Sequence, residues 1–308
     1  MIAWRCVLCA SCALTVVSSA QASWRVRPNA PEARTEVSAV ALGNSVAVVG
    51  GMDAAGNASR RVDLYGAATR RWTRLPDLPV GLHHTMAVAD GGALYVVGGY
   101  AAGGALTRPS SGVFVLRPGG GWRGLRQMPE VRAAGGAAML NGRLYVVGGT
   151  TAGGQLATST LVFDLGTRRW LRGAGLSTPR EHLGVAALSG RVYALGGRSG
   201  SVNYALADAW DPREGRWTVL PDMPTARGGT SATSARGRVV SVGGEGPAGT
   251  NREVEAYDPT SRRWRSLDPL PEGRHGVGVA APAGTLHVLL GGPQPGLTVS
   301  RSVFALTP

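Results

Sequence analysis

Val192-Tyr193-Ala194-Leu195-Gly196-Gly197, followed by Trp210-Asp211-Pro212 and by Trp217, is one copy of a pattern that recurs along the chain. The double glycine returns at Gly50-Gly51, Gly98-Gly99, Gly148-Gly149, Gly243-Gly244 and Gly291-Gly292, so successive pairs lie 48, 50, 48, 47 and 48 residues apart. Each pair closes a short apolar run, and each but the last is followed by a tryptophan: Trp72, Trp122, Trp170, Trp217 and Trp264. The sixth tryptophan stands at the other end of the chain, as Trp24. Glycine at a strand end permits positive φ and close backbone approach, which suits a sharp departure from a sheet.

A unit of about fifty residues with a strand, a double glycine, a second strand and a tryptophan is the pattern of a four-stranded propeller blade. The segments Arg180 through Trp217 and Arg227 through Trp264 resemble the Kelch repeat, down to the aromatic-Asp-Pro triplets Trp210-Asp211-Pro212 and Tyr257-Asp258-Pro259. The resemblance extends over nearly everything after residue 22 and implies an all-β fold, a six-bladed β-propeller of Kelch type over residues 23–308. The expected innermost strands are rich in Ala, Gly and Ser, as six sheets converging on one axis require, and the tryptophans fall where a blade broadens. Ser302-Val303-Phe304-Ala305-Leu306 reads as a third strand with no fourth after it, and Ser23-Trp24-Arg25-Val26 as a fourth with nothing before it. The ring should therefore close by pairing the N-terminal strand into the C-terminal blade, which removes the open edge.

Residues 1–22 carry Arg5, an apolar stretch from Cys6 to Val17 and an Ala20-Gln21-Ala22 site, the pattern of a cleaved signal peptide. The expected mature protein starts near Ser23 and is periplasmic or secreted. It has no stable membrane insertion, because the apolar run is short for a span. All three cysteines lie in that segment, so the remainder has neither disulfides nor thiol chemistry. Net charge is +13, with no lysine; an arginine bias of this kind is that of a GC-rich, bacterial coding sequence. A basic exported protein tends to meet anionic partners. Nucleic acid is not expected, since no basic stripe interleaves with exposed aromatics. The chain is read as a monomer.

Alternate loops of each blade emerge on one face, and loops held by a rigid scaffold are where binding residues gather. The loops between second and third strands differ from blade to blade. Near the axis on that face, sixteen residues before the first glycine of each pair, lie Arg34, Leu82, Arg132, Arg180 and Arg227, with Arg274 at seventeen in the sixth copy. A ring of guanidiniums has bidentate geometry for carboxylate, sulfate or phosphate. The same repeat position equally suits an arginine that braces neighbouring strands. In Kelch-type adaptors that read acidic peptides, arginines before a small-x-Gly stretch make the contacts, and Arg274-His275-Gly276-Val277-Gly278 is the matching segment here. His83, His84, His182 and His275 cluster at the same junctions. Strand alternation places His84 and His182 in one phase and His83 and His275 in the other, which speaks against a metal site. No metal and no cofactor is expected.

The loop from Gly244 to Arg252 is similar to one in bacterial periplasmic N-acetylneuraminate epimerases, which are also six-bladed Kelch propellers. That resemblance implies Glu245 as a carboxylate moving the anomeric proton and Arg252 as the clamp on a sugar carboxylate. A copper radical oxidase is excluded for the mature chain, because its cofactor needs a cysteine. The reading is thus an exported binding module for an anionic small molecule, glycan or acidic protein segment. The site would be Arg34, Arg132, Arg180, Arg227, Arg274, His182 and His275, with sugar-acid mutarotation through Glu245 and Arg252 as the alternative.

Overall fold

A computed structural model describes residues 23–101, 106 and 108–307, and the expected signal peptide lies outside them. Among the described residues, six four-stranded antiparallel sheets form the blades, and two short two-stranded ribbons pair Arg198–Ser199 with Val202–Asn203 and Glu245–Gly246 with Gly249–Thr250. The first blade runs through Ser38–Leu42, Ser45–Val49, Val62–Gly66 and Trp72–Arg74, and the next four repeat that order. Each innermost strand abuts the next around the axis, and Ser38–Leu42 abuts both Met86–Asp90 and Gly278–Ala280, so the circle is complete. The chain is a six-bladed, nearly all-β propeller. Among the described residues no helix is long and apolar enough to cross a membrane.

The sixth blade is assembled from both ends. Arg25–Arg27 pairs antiparallel with Val303–Leu306, with Val26 opposite Phe304, as the two unpaired strand patterns require. Trp24 lies in line with this closing strand, and its indole N–H donates to the Asp268 carbonyl of blade five at 2.9 Å. The other outer tryptophans do the same to the preceding blade: Trp72 to Pro28, Trp122 to Pro76, Trp170 to Arg126, Trp217 to Ala174 and Trp264 to Pro221. A large ring with one polar atom thus fills the widening wedge and fastens it.

The double glycines are inter-blade stitches. The second glycine donates its N–H to the carbonyl at the arginine position of the next blade: Gly51 to Leu82 at 2.8 Å, Gly99 to Arg132 at 2.9 Å, Gly149 to Arg180 at 2.9 Å and Gly197 to Arg227 at 2.9 Å. At Gly148, φ is +60° and an added Cβ would stand 2.6 Å from the Arg180 carbonyl oxygen, so no side chain fits. In blade six the register differs from the sequence expectation. Gly291, not Gly292, donates to the Arg34 carbonyl, and Leu290 takes the left-handed first position at φ 61°. The working pair is Leu290-Gly291, and Arg274 then stands at the same sixteen-residue distance as its counterparts.

Candidate functional site

The five arginines do not line the mouth. Arg34, Arg132, Arg180 and Arg227 are 0% exposed and Arg274 is 1% exposed, so the expectation of an anion-binding guanidinium ring is corrected. Each is a spoke inside its blade, engaged by an acid. Arg34 meets Asp63 at 2.5 Å, Arg180 meets Asp208 at 2.6 Å and Arg227 meets Glu255 at 3.0 Å, all three acids lying at the second residue of the third strand. Arg132 and Arg274 use an acid two residues earlier instead, Glu130 and Glu272. The spokes also bond strand-end carbonyls, as Arg34 to Gly50 at 2.6 Å, Arg132 to Gly148 at 2.9 Å and Arg180 to Gly196 at 2.7 Å. Burial lowers the Arg34 pKa to about 10 against the pull of Asp63, so it remains a cation at neutral pH.

Two residues beyond the spoke position the chain makes the same left-handed turn in every blade: Glu36, His84, Ala134, His182, Gly229 and Gly276 have φ of 51°, 50°, 52°, 53°, 62° and 54°. Main-chain hydrogen bonds join these turns around the axis, from His84 N to Glu36 O at 3.1 Å, Ala134 N to His84 O at 3.0 Å, His182 N to Ala134 O at 2.7 Å and Gly276 N to Gly229 O at 3.1 Å. The turn favours glycine, and a side chain there costs roughly 1–2 kcal/mol. Three blades nevertheless place Glu36, His84 and His182 in it, around a cavity of about 110 Å³ floored by small residues such as Ala39, Ala87, Ala137 and Ala232.

The side chains form one connected network. Glu36 Oε2 lies 3.1 Å from His84 Nε2 and its Oε1 lies 3.2 Å from His275 Nδ1. The nearest nitrogens of His83 and His84, both Nδ1, are 2.7 Å apart. Burial pushes His84 down to about 3 despite Glu36, so its ring is neutral. The network therefore assigns the His84 proton to Nε2, facing Glu36, with Nδ1 accepting from His83. Burial opposes ionisation of Glu36, yet His84 and His275 hold its carboxyl well below the usual carboxylate range. Burial likewise pulls His275 down, but the bond to Glu36, with Glu245 nearby, more than reverses this and raises its pKa.

A second arm of the network comes from the rim. Arg198 bonds Glu245 through Nη1 and Glu181 through Nε at 3.3 Å, and its Nη2 lies 3.3 Å from His182 Nε2. A guanidinium only donates, so His182 Nε2 accepts and its proton is on Nδ1, 3.1 Å from Glu181 Oε2. The Glu181 carboxyl is held low by His182 and Arg198 against its burial. Arg198 and Glu245 occupy one repeat position, the residue after the double glycine, and bridge to Glu181 and Gly228 respectively.

His182 lines the cavity, and His275 lies against Glu36 beside it. The expectation that their phases keep the histidines apart fails, because the left-handed turn resets the alternation that an extended strand would impose. Glu36, which joins them, is absent from the residues expected at the site; aligning the copies on Arg34, Leu82 and Arg180 exposes it at the position of His84 and His182. Glu245 and Arg252 do not act together, since Glu245 holds Arg198, while Arg252 donates through Nε to the Leu270 carbonyl at 2.6 Å.

The family model of the Kelch motif matches residues 132–177, 179–224 and 226–271, the third, fourth and fifth blades. An F-box/kelch-repeat protein of Arabidopsis thaliana is 38% identical over 64 residues, which is 20% of this chain and 17% of that relative.

Proposed function

From a chain that is a Kelch-repeat β-propeller, a fold that serves generally as a protein-interaction module, we propose an exported binding module that docks a partner on the loop rim around its axial mouth. The observation that carries this reading is the placement of a half-buried Glu36 and of buried His84 and His182 in a turn that favours glycine, where Ala134, Gly229 and Gly276 serve the same backbone. Strain and buried polarity that the fold does not require mark a site that acts on something else. The export reading is supported by the Arg5, apolar and Ala20-Gln21-Ala22 pattern.

The chemistry of the partner follows from charge. With the spoke arginines engaged inside the blades, Glu36, Glu181 and Glu245 outnumber Arg198 at the mouth even with His275 counted as a second cation. An anion finds Arg198 alone, already shared among Glu181, Glu245 and His182, whereas a group rich in hydrogen-bond donors finds three carboxylates. We therefore favour a protein segment presenting donors over the acidic ligand read from the sequence. Chemical cross-linking in the compartment of export tests this. Arg198→Glu and Glu245→Ala should lose the captured partner while Arg74→Ala on an outer strand keeps it, and equal capture by all three variants would refute the assignment of the face. N-acetylneuraminate should exchange anomers at the uncatalysed rate, and faster exchange abolished by Glu245→Gln would establish the enzyme instead.

A further inference from the structure

We propose that Glu36, His84 and His182 bind one divalent ion of the zinc class at the axial mouth, an inference that rests on reading this mouth as the functional site. Each residue offers one ligand atom, and these atoms lie within 4.8 Å of one another. Two imidazoles and one carboxylate are the three-ligand set with which zinc keeps its fourth position open. Glu36 Oε2 and His84 Nε2 are already 3.1 Å apart. Two donors held about 2.1 Å from one tetrahedral ion stand roughly 3.4 Å apart, so this pair needs little movement.

The surroundings favour the ion. His83 backs His84 at 2.7 Å on the ring nitrogen that faces away from Glu36, the place of an outer partner that orients a ligating imidazole. When the ion takes His84 Nε2, that proton is carried on Nδ1 instead and donated to His83 Nδ1, and the proton His83 held there moves to its own Nε2. A dication also meets an excess of carboxylate at the mouth. One contact competes: Arg198 Nη2 lies 3.3 Å from His182 Nε2 and must release it, keeping Glu181 and Glu245.

That competition makes the proposal testable beyond a simple loss. The full chain, stripped with chelator, is titrated with Zn²⁺ by calorimetry and with Co²⁺ by visible absorption. Expected are one ion per chain at micromolar or lower concentration and a Co²⁺ spectrum of tetrahedral intensity. His84→Ala and His182→Gly should lose the site; both residues occur at this turn in other blades, so the variants should keep the fold, and the melting curve checks it. His83→Phe should weaken binding by about 10–100-fold. Arg198→Ala should tighten it, and His287→Phe should leave it unchanged. No stoichiometric uptake by folded protein, uptake unaffected in His84→Ala and His182→Gly, or weaker binding in Arg198→Ala overturns the site. Partner capture without metal is read separately. Loss of the metal result alone leaves rim docking standing, and loss of rim dependence alone leaves the ion.

Discussion

Ala134 and Glu36 make the same left-handed turn with nearly the same φ, 52° and 51°, yet only Glu36 belongs to the polar network. Ala134 therefore carries the strain without the contacts. Removing its methyl should raise stability by about 0.5–1 kcal/mol, the relief of a left-handed alanine less the added freedom of the unfolded chain. Urea denaturation of Ala134→Gly checks this, and an unchanged or lower midpoint would show that the turn is not strained. This scale was the least legible from sequence. Periodicity of two describes extended backbone, and the turns before the innermost strands are not extended, so strand alternation wrongly sets His83 and His275 apart from His84 and His182 and gives no sign of Glu36. The same blindness hides Leu290: a glycine pair at Gly291-Gly292 looks identical to its five counterparts, and only the hydrogen bond from Gly291 to Arg34 shows the shift.

Within a blade, the spoke and its acid behave as a unit that is kept or replaced together. Blade two has Leu82 in place of the arginine and Phe114 in place of the acid, both in one apolar cluster. There the Gly98 carbonyl, which a spoke would serve, accepts from the Thr85 hydroxyl at 3.0 Å. Blade four can be converted to the same chemistry. Arg180→Leu alone strands Asp208 in the interior and should cost about 3–5 kcal/mol. Adding Asp208→Phe and Leu183→Thr, the counterparts of Phe114 and Thr85, should restore most of the loss. Equilibrium unfolding of the single and triple variants measures it; a triple variant no better than the single one would deny that the pair is replaceable as a unit. Strand order, the outer tryptophans and the Asp-Pro turns were legible here because they are local. The acids were not, since Asp63, Asp208 and Glu255 lie 28 or 29 residues from their arginines across loops of different length.

For the whole molecule, closure was the most legible feature, because an unpaired outer strand at one end and an unpaired third strand at the other admit one pairing. The seam it creates is sensitive to acid. His287 is buried beside Tyr65 of blade one, its Nδ1–H donating to the Thr285 carbonyl at 2.9 Å, with Arg27 of the closing strand nearby. Burial lowers its pKa below the ordinary value of 6.5, Thr285 opposing and Arg27 assisting. The unfolded chain then takes up a proton that the folded one refuses. Stability is full above about pH 6.5 and falls as pH drops toward the folded value, by at most about 1.4 kcal/mol per pH unit for this group. His287→Phe should flatten part of that slope between pH 6.5 and 5, with His84 acting in the same direction and His275 in the opposite one; identical urea midpoints across pH for both proteins would exclude the seam as its origin.

The hydrogen bonds that join the mouth's turns, across blades one to four and between blades five and six, run from main chain to main chain, so they do not depend on which side chains stand there. Glutamate, histidine, alanine and glycine already share that collar. Such a collar works like a keyed plate whose wards can be recut one at a time while the lock keeps its diameter, and new recognition can arise there by single substitutions without refolding the barrel that holds it.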